Sequence, residues 1–194
     1  PGVYEKVKAA RVGIAGLGGL GSSIALALAR TGVGTLHLVD FDSVEPSNLN
    51  RQQYRIAHLG MPKVEAMRQE IAEINPAVKV IVDKVRVSAE NAVQLFANDP
   101  IVCEAFDGAQ NKAMLVNSLL SGLRDMVVVS GSGMAGTDSA NRMLTRRFGR
   151  RLYVCGDGES EAARGRGLMA PRVMVCAGHQ ANMVLRLILG ETQP

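Results

Sequence analysis

The sequence has no tryptophan and few aromatics of any kind, three Tyr and four Phe. That excludes an interior filled by large rings and leaves Val, Leu, Ile, Ala and Met to build the core. With 47% of residues hydrophobic and nearly all of those aliphatic, the composition suits a sheet covered on both faces by helices. Cysteine is scarce as well. Cys103, Cys155 and Cys176 are odd in number and never form a C-x-x-C pair, which supports neither a disulfide framework nor a four-cysteine zinc site and favours a reducing cytoplasm. No run of about 18 apolar residues occurs, and there is no signal-like start, so no membrane span is expected. The chain opens on Pro1 rather than Met, which leaves room for an upstream segment. Neither an internal repeat nor a low-complexity tract is present. The formal charge of +4 fits an anionic ligand or partner, but the concentrated basic, aromatic-studded surface of a nucleic-acid binder is missing.

What is there is an alternation. At 194 residues the chain is expected to form one domain, 1–194. "RVGIAG" (11–16) is a short apolar strand stopped by glycine, and "GGLGSSIALALARTG" continues as a helix ending near Gly32. "GTLHLVD" is a second strand ending at Asp40, and Pro62 opens a helix to about Ile74, closed by Asn75 and Pro76. A strand at "VKVIVDKV", a short helix over 88–97, a strand at "PIVCEAF", a helix from Gly108 to about Leu123 and a strand at "DMVVVSG" follow. "NRMLTRRF" and "RRLYV" pair as a hairpin or edge strands, and "APRVMVCAGHQANMVLRLILG" ends the chain as a long helix. The pattern predicts an α/β fold with an open, doubly wound, mostly parallel, Rossmann-like sheet, whose ligand site lies beyond the carboxyl ends of its strands. "GDGESEAARGRG", residues 156–167, is expected to be a mobile loop.

Gly16, Gly18 and Gly21 form G-x-G-x-x-G between strand and helix, where bare backbone approaches phosphate oxygens and the helix terminus offers free N–H donors. Asp40 stands nineteen residues beyond Gly21 at the end of the second strand, the place of an acid that accepts from ribose hydroxyls. The motif by itself does not separate a dinucleotide from ATP.

The loop that follows, "DFDSVEPSNLNRQQY" (40–54), is richer in polar groups than a nicotinamide site needs. If a carboxylate must attack an α-phosphate, two anions meet, and a like-charge pair near 4 Å costs about 4 kcal/mol at an effective dielectric of 20. Fixed cations and a metal ion offset that repulsion. Arg51 supplies a planar fork for phosphate oxygens, and Asn48 and Gln52 donate from side-chain amides; taken alone, such a loop is more often simply a solvated surface. Lys63 falls in the first turn of a helix, where the macrodipole disfavours a cation by roughly 0.3 to 1 kcal/mol, so it calls for an anion nearby. Asp107 closes the "VCEAF" strand and is an N-cap, with Gln110 at capping-box spacing, a Mg²⁺ ligand, or both.

In this order "GLGGLGS", "DFDSVEPSNLNRQ", "MPKVEA" and "EAFD" resemble the adenylating domain of ubiquitin-activating-type enzymes, and nearly all of the chain resembles the ThiF family in its short form. The resemblance implies an adenylyltransferase of thiamine biosynthesis, in which ATP and the C-terminal carboxylate of a small ubiquitin-like sulfur-carrier protein give an acyl-adenylate and pyrophosphate. It further implies that Gly16, Gly18, Gly19 and Gly21 line the nucleotide turn, that Asp40 holds the ribose and that Asp42 is among the nucleotide-binding residues. Asn48, Arg51, Gln52 and Lys63 would contact phosphates, Asp107 would position Mg²⁺, and the enzyme would be a cytoplasmic homodimer. The C-x-x-C pairs with which longer relatives hold structural zinc are absent, so none is expected. Longer relatives also lend an arginine from the neighbouring subunit's N-terminal segment; residues 1–10 contain Lys6 and Lys8 but no arginine. Cys155 is the counterpart available for a cysteine that bonds the activated carrier. Cys176 and Met134, Met143, Met169, Met174 and Met183 are expected as packing, His179 as an interior or interface group, and the "RRFGRR" run, Arg146 to Arg151, as a solvated face that could meet an acidic carrier. A small carboxylic acid as acceptor, a nicotinamide enzyme and a non-catalytic nucleotide binder remain as alternatives.

Overall fold

The computed structural model describes residues 2–194. Its elements run α1 (Val3–Ala9), β1 (Arg11–Ala15), α2 (Gly19–Thr31), β2 (Thr35–Val39), α3 (Lys63–Ile74), β3 (Lys79–Asp83), α4 (Ala92–Leu95), β4 (Ile101–Glu104), α5 (Ala109–Gly122), β5 (Val127–Gly131), β6 (Leu144–Phe148), β7 (Leu152–Gly156) and α6 (Ala170–Leu189). The strands form one sheet in the order β3-β2-β1-β4-β5-β7-β6, parallel except for β6 against β7. This is the doubly wound arrangement expected from the alternation, with the expected hairpin at one edge. The order reverses direction between β1 and β4, so a crevice opens above the carboxyl ends of those two strands.

Burial follows position in the sheet. The inner strands β1, β4 and β5 are buried almost throughout, since helices cover both faces. At the edge, β6 alternates between exposed and half-buried residues. One apolar cluster joins α1, α2, α3 and α6 to one face of the sheet, and a second joins α4 and α5 to the other. Aliphatic side chains dominate, each worth roughly 1.5 to 3 kcal/mol when fully buried. The few aromatics divide: Tyr153 and Phe96 are the largest fully buried side chains, whereas Tyr4, Phe41 and Phe148 are exposed.

Three local features depart from expectation. The N-terminal helix α1 was not signalled, the helix at 88–97 contracts to four residues, Ala92–Leu95, and Pro62 is the N-cap of α3, so that Lys63 is the first helical residue. Of the methionines, Met143 and Met183 are buried, whereas Met169 and Met174 are about half exposed and do not fill the core. No helix among the described residues is long and apolar enough to cross a membrane.

Candidate active site

The glycine turn is held by close packing. Gly16 has φ +91°, and a side chain at Gly21 would collide with the carbonyl of Gly16, so β1 and α2 meet at this angle only because both residues are glycine. The loop after β2 is fastened to this turn. Asp40 accepts from the N–H of Leu17 at 2.7 Å and from that of Asp42 at 2.8 Å, and the Tyr54 hydroxyl donates to the Leu17 carbonyl at 2.7 Å. Ser22 donates to the Gly18 carbonyl at 2.5 Å and accepts from the Gln53 N–H at 3.1 Å. Sequence reasoning gave Tyr54, Ser22 and Gln53 no role, and they explain why the polar loop lies against the phosphate turn.

Two clefts open side by side at the switch point. The first is lined by Gly16, Gly18, Asp40, Asp42, Lys63 and Asp107, together with Phe41, Val85, Arg86 and Val87. The structure thus collects in one cleft six residues that lie more than ninety positions apart at their extremes. Lys63 is only 6% exposed; its N–H donates to the Asp42 carbonyl at 2.9 Å, and its ammonium is 3.8 Å from the half-exposed Asp42 carboxylate. Asp42 therefore supplies the anion that a cation at a helix N-terminus requires. Burial pushes the Asp40 carboxyl up from its ordinary range, opposed by the two N–H donors and by Lys63.

Three other expected site residues, Asn48, Arg51 and Gln52, line neither of the two clefts at the switch point. The Arg51 guanidinium donates to the Ser47 carbonyl at 3.2 Å and to Asn50 Oδ1 at 2.9 Å and is not among the groups lining the first cleft, although its stem lies beside Gly19. Asn48 accepts from the Glu45 N–H at 2.9 Å and so closes its own turn. Gln52 is 7% exposed and lies under Gly18, with its Oε1 buried and without a partner.

The second cleft shares Phe106 and Asp107 with the first and continues past Gly19, Leu20, Lys112, Gly133 and Ala135 to Ser160. Below it lies a buried polar network that the sequence did not announce. Glu104, fully buried, accepts from Lys112 at 3.1 and 3.2 Å, from Ser130 at 2.5 Å and from the Phe106 N–H at 2.6 Å. Lys112 also donates to the Gly131 carbonyl at 2.9 Å, and Gln180 of α6 donates to the carbonyls of Glu104 and Val129, both at 3.1 Å. The turn that carries Asp107 is fixed by this network.

Asp107 itself is exposed and does not cap α5; Gly108 occupies the N-cap, with no side-chain bond. Cys155 is corrected by burial. It lies within β7 and is 0% exposed, and burial pushes its thiol up to about 11, with only the Thr145 hydroxyl opposing; the structure gives it neither access nor thiolate character. Cys176 is buried as expected, and its thiol meets the Cys155 carbonyl at 3.4 Å. His179 is half-buried, bonded to the Thr145 hydroxyl at 3.0 Å. The arginine run is only partly a solvated face, because Arg151 donates at 2.7 Å to the carbonyls of Leu120 and Leu123 at the end of α5. The segment 156–167 is anchored over its first part by Asp157, whose carboxylate accepts from the N–H groups of Glu159 and Ser160 and from Arg172 of α6.

The fold and the glycine-lined cleft define a Rossmann-like α/β protein with its cleft at the switch point of the sheet. The chain belongs to the ThiF family, whose pattern it matches over residues 1–194. The molybdopterin-synthase adenylyltransferase of Salmonella typhimurium is 31% identical over 200 residues, which cover 98% of this chain and 77% of the relative. The Escherichia coli enzyme of the same name is 30% identical with the same coverage. Relatives that span the chain are thus adenylyltransferases, and it is an enzyme of that class. The crystal structure of Escherichia coli tRNA N6-threonylcarbamoyladenosine dehydratase in complex with ATP has the same fold, with a TM-score of 0.88 at 22% identity over 97% of this chain and 89% of that one.

Proposed function

We propose that this chain uses ATP to adenylate the C-terminal glycine carboxylate of a small ubiquitin-like sulfur-carrier protein, forming the acyl-adenylate and releasing pyrophosphate. One observation carries the reading: a cleft lined by the glycine turn, Asp40 and Lys63 meets a second cleft at Phe106 and Asp107. ATP occupies the first and the carrier's tail the second, whose Gly133 and Ala135 suit an extended segment of small residues. A carboxylate oxygen attacks the α-phosphorus, the bond from that phosphorus to the bridging oxygen breaks, and pyrophosphate leaves. The attacking group is ionised at neutral pH, so no general base is required.

The chemistry then rests on charge. Lys63 is buried at the first cleft and meets the phosphates against its single, half-exposed carboxylate partner. Arg51 is held by two neutral acceptors, which a phosphate displaces because charge-assisted bonds are about twice as strong. Gln52 keeps the amide under Gly18. Mg²⁺ takes one or two protein carboxylates and completes its shell with phosphate oxygens and water, so Asp107 and Asp42 fit it, although no group of three or more metal-ligating side chains occurs among the described residues. When bound, the ion neutralises phosphate charge.

The carrier that feeds thiazole formation in thiamine biosynthesis is the proposed acceptor; the molybdopterin-synthase carrier is the second reading, favoured by relatives that match 98% of this chain. Homodimer assembly belongs to the same proposal, supported by Leu144 and Phe148, 49% and 53% exposed on the edge strand β6. Pyrophosphate exchange with each carrier tests the acceptor, with mass spectrometry to detect AMP added at the carrier's terminus. Arg51→Ala and Lys63→Ala together are expected to lower exchange by at least ~10²-fold, the usual effect of losing a preorganised charge-stabilising donor. A carrier-dependent signal that survives both changes removes the mechanism.

A further inference from the structure

Two residues at the mouth of the first cleft take no part in the phosphate chemistry above. Phe41 follows Asp40 just past the end of β2 and is 40% exposed. Arg86 lies three residues beyond the end of β3, the neighbouring strand. Its guanidinium carbon sits 3.7 Å from the centroid of the Phe41 ring, whereas the other two cation–ring contacts are 5.8 and 5.6 Å. At 3.7 Å the guanidinium is stacked on the ring. The backbone beneath it is fixed, since Asn91 donates to the Arg86 carbonyl at 3.0 Å and accepts from the Ser88 N–H at 2.8 Å. Val85 and Val87, on either side, line the same cleft and pack against the cluster that contains Val39.

Arg86 makes no salt bridge among the described residues, unlike the arginines at 11, 55, 68, 142, 166, 172 and 186. A guanidinium is planar, weakly hydrated and suited to stacking. With one face on Phe41, an exposed head and valines alongside, it offers a flat surface next to the acid suited to ribose. A flat, uncharged ring attached to that ribose is what such a surface takes.

Resting on the ATP reading above, we propose that Arg86, braced on Phe41, is the nucleobase-stacking residue of this cleft. The base lies on the guanidinium beside Val85 and Val87, the ribose turns toward Asp40, and the phosphates run to the glycine turn and Lys63. A base-stacking role and a phosphate-binding role for the same arginine separate by ligand series. Binding of adenosine, AMP and ATP to the full chain without carrier is measured by calorimetry for the wild type, Arg86→Ala and Arg86→Lys. Arg86→Ala is expected to weaken all three by one common factor of about ten, within the range for base stacking, and Arg86→Lys, which keeps the charge and loses the plane, is expected not to restore it.

A loss that grows with each added phosphate, rescue by lysine, or unchanged affinity overturns the stacking role. Wild-type protein that binds none of the three nucleotides overturns it together with the ATP reading. The expected pattern without transfer of AMP to any carrier supports the stacking role and defeats only the carrier reading.

Discussion

Single residues in the site divide by what governs them. Gly16, Gly18, Asp40, Lys63 and Asp107 were legible because main-chain geometry and strand ends determine where they fall, and all five reach one cleft. Arg51 and Asn48 were legible in type but not in direction, since their loop offers carbonyl and amide partners of its own that no spacing rule foretells. Glu104 and Lys112 were silent, because an acid inside an apolar strand gains meaning only when the lysine eight positions on folds back over it. Their pairing has a measurable consequence. Lys112→Met leaves the Glu104 carboxylate buried with only Ser130 and the Phe106 N–H, and removing one partner of a buried pair costs about 3 to 5 kcal/mol. Adding Glu104→Gln removes the stranded charge, so the double variant is expected to be more stable than Lys112→Met alone. Urea unfolding of the two variants checks this; a double variant less stable than the single one refutes the pairing.

Elements were read well where a periodic apolar stripe was long, and poorly where a few tertiary contacts decide. The seven residues of α1 bury only Val7, too little for a stripe, and a helix this short is marginal without docking; its packing on α6 supplies that. At 88–97 the Asn91 side chain takes the Ser88 N–H and the Arg86 carbonyl, which diverts the backbone from the helix that the sequence alone suggested. The loop at 156–167 shows the same control from α6. Burial pushes the Asp157 carboxyl up, but the Ser160 N–H, the Arg172 guanidinium and the Glu159 N–H outweigh it and hold it well below the usual carboxylate range. A depressed acid contributes stability that is present above its unfolded value and fades as pH falls through the folded one. Asp157→Ala is therefore expected to release the exposed stretch around Arg164 and Arg166. Trypsin should cut it there at least several-fold faster near pH 7, where the carboxylate of the wild type is ionised. Equal cleavage rates in the two proteins would show that Asp157 does not hold the loop.

Across the whole sheet, one buried cluster links the strands that lie under the first cleft. His37 of β2, 2% exposed, bonds Asp99 through Nδ1 at 2.5 Å and Asp83 at the end of β3 through Nε2 at 2.8 Å, while Arg11 of β1 donates to the other oxygen of Asp99 at 2.6 Å. Asp99 sits just before β4, so one imidazole ties four adjacent strands. Burial lowers the His37 pKa, but the hydrogen bond and charge of Asp99 and those of Asp83 outweigh it and raise it above the ordinary histidine value. For a base raised on folding, the sign is opposite to that of Asp157: the stabilisation is complete below the unfolded pKa and is lost as pH rises through the folded one. His37→Phe removes the proton and keeps a ring beside Phe96, whose centroid is 5.5 Å from that of the imidazole. The stability difference between wild type and variant is thus expected to be largest near pH ~6, below the unfolded histidine value, and to shrink steadily toward pH ~9. Chemical denaturation across that window measures it, and a difference that stays constant with pH would mean that the imidazole is buried neutral and that the two aspartates do not hold a proton between the strands.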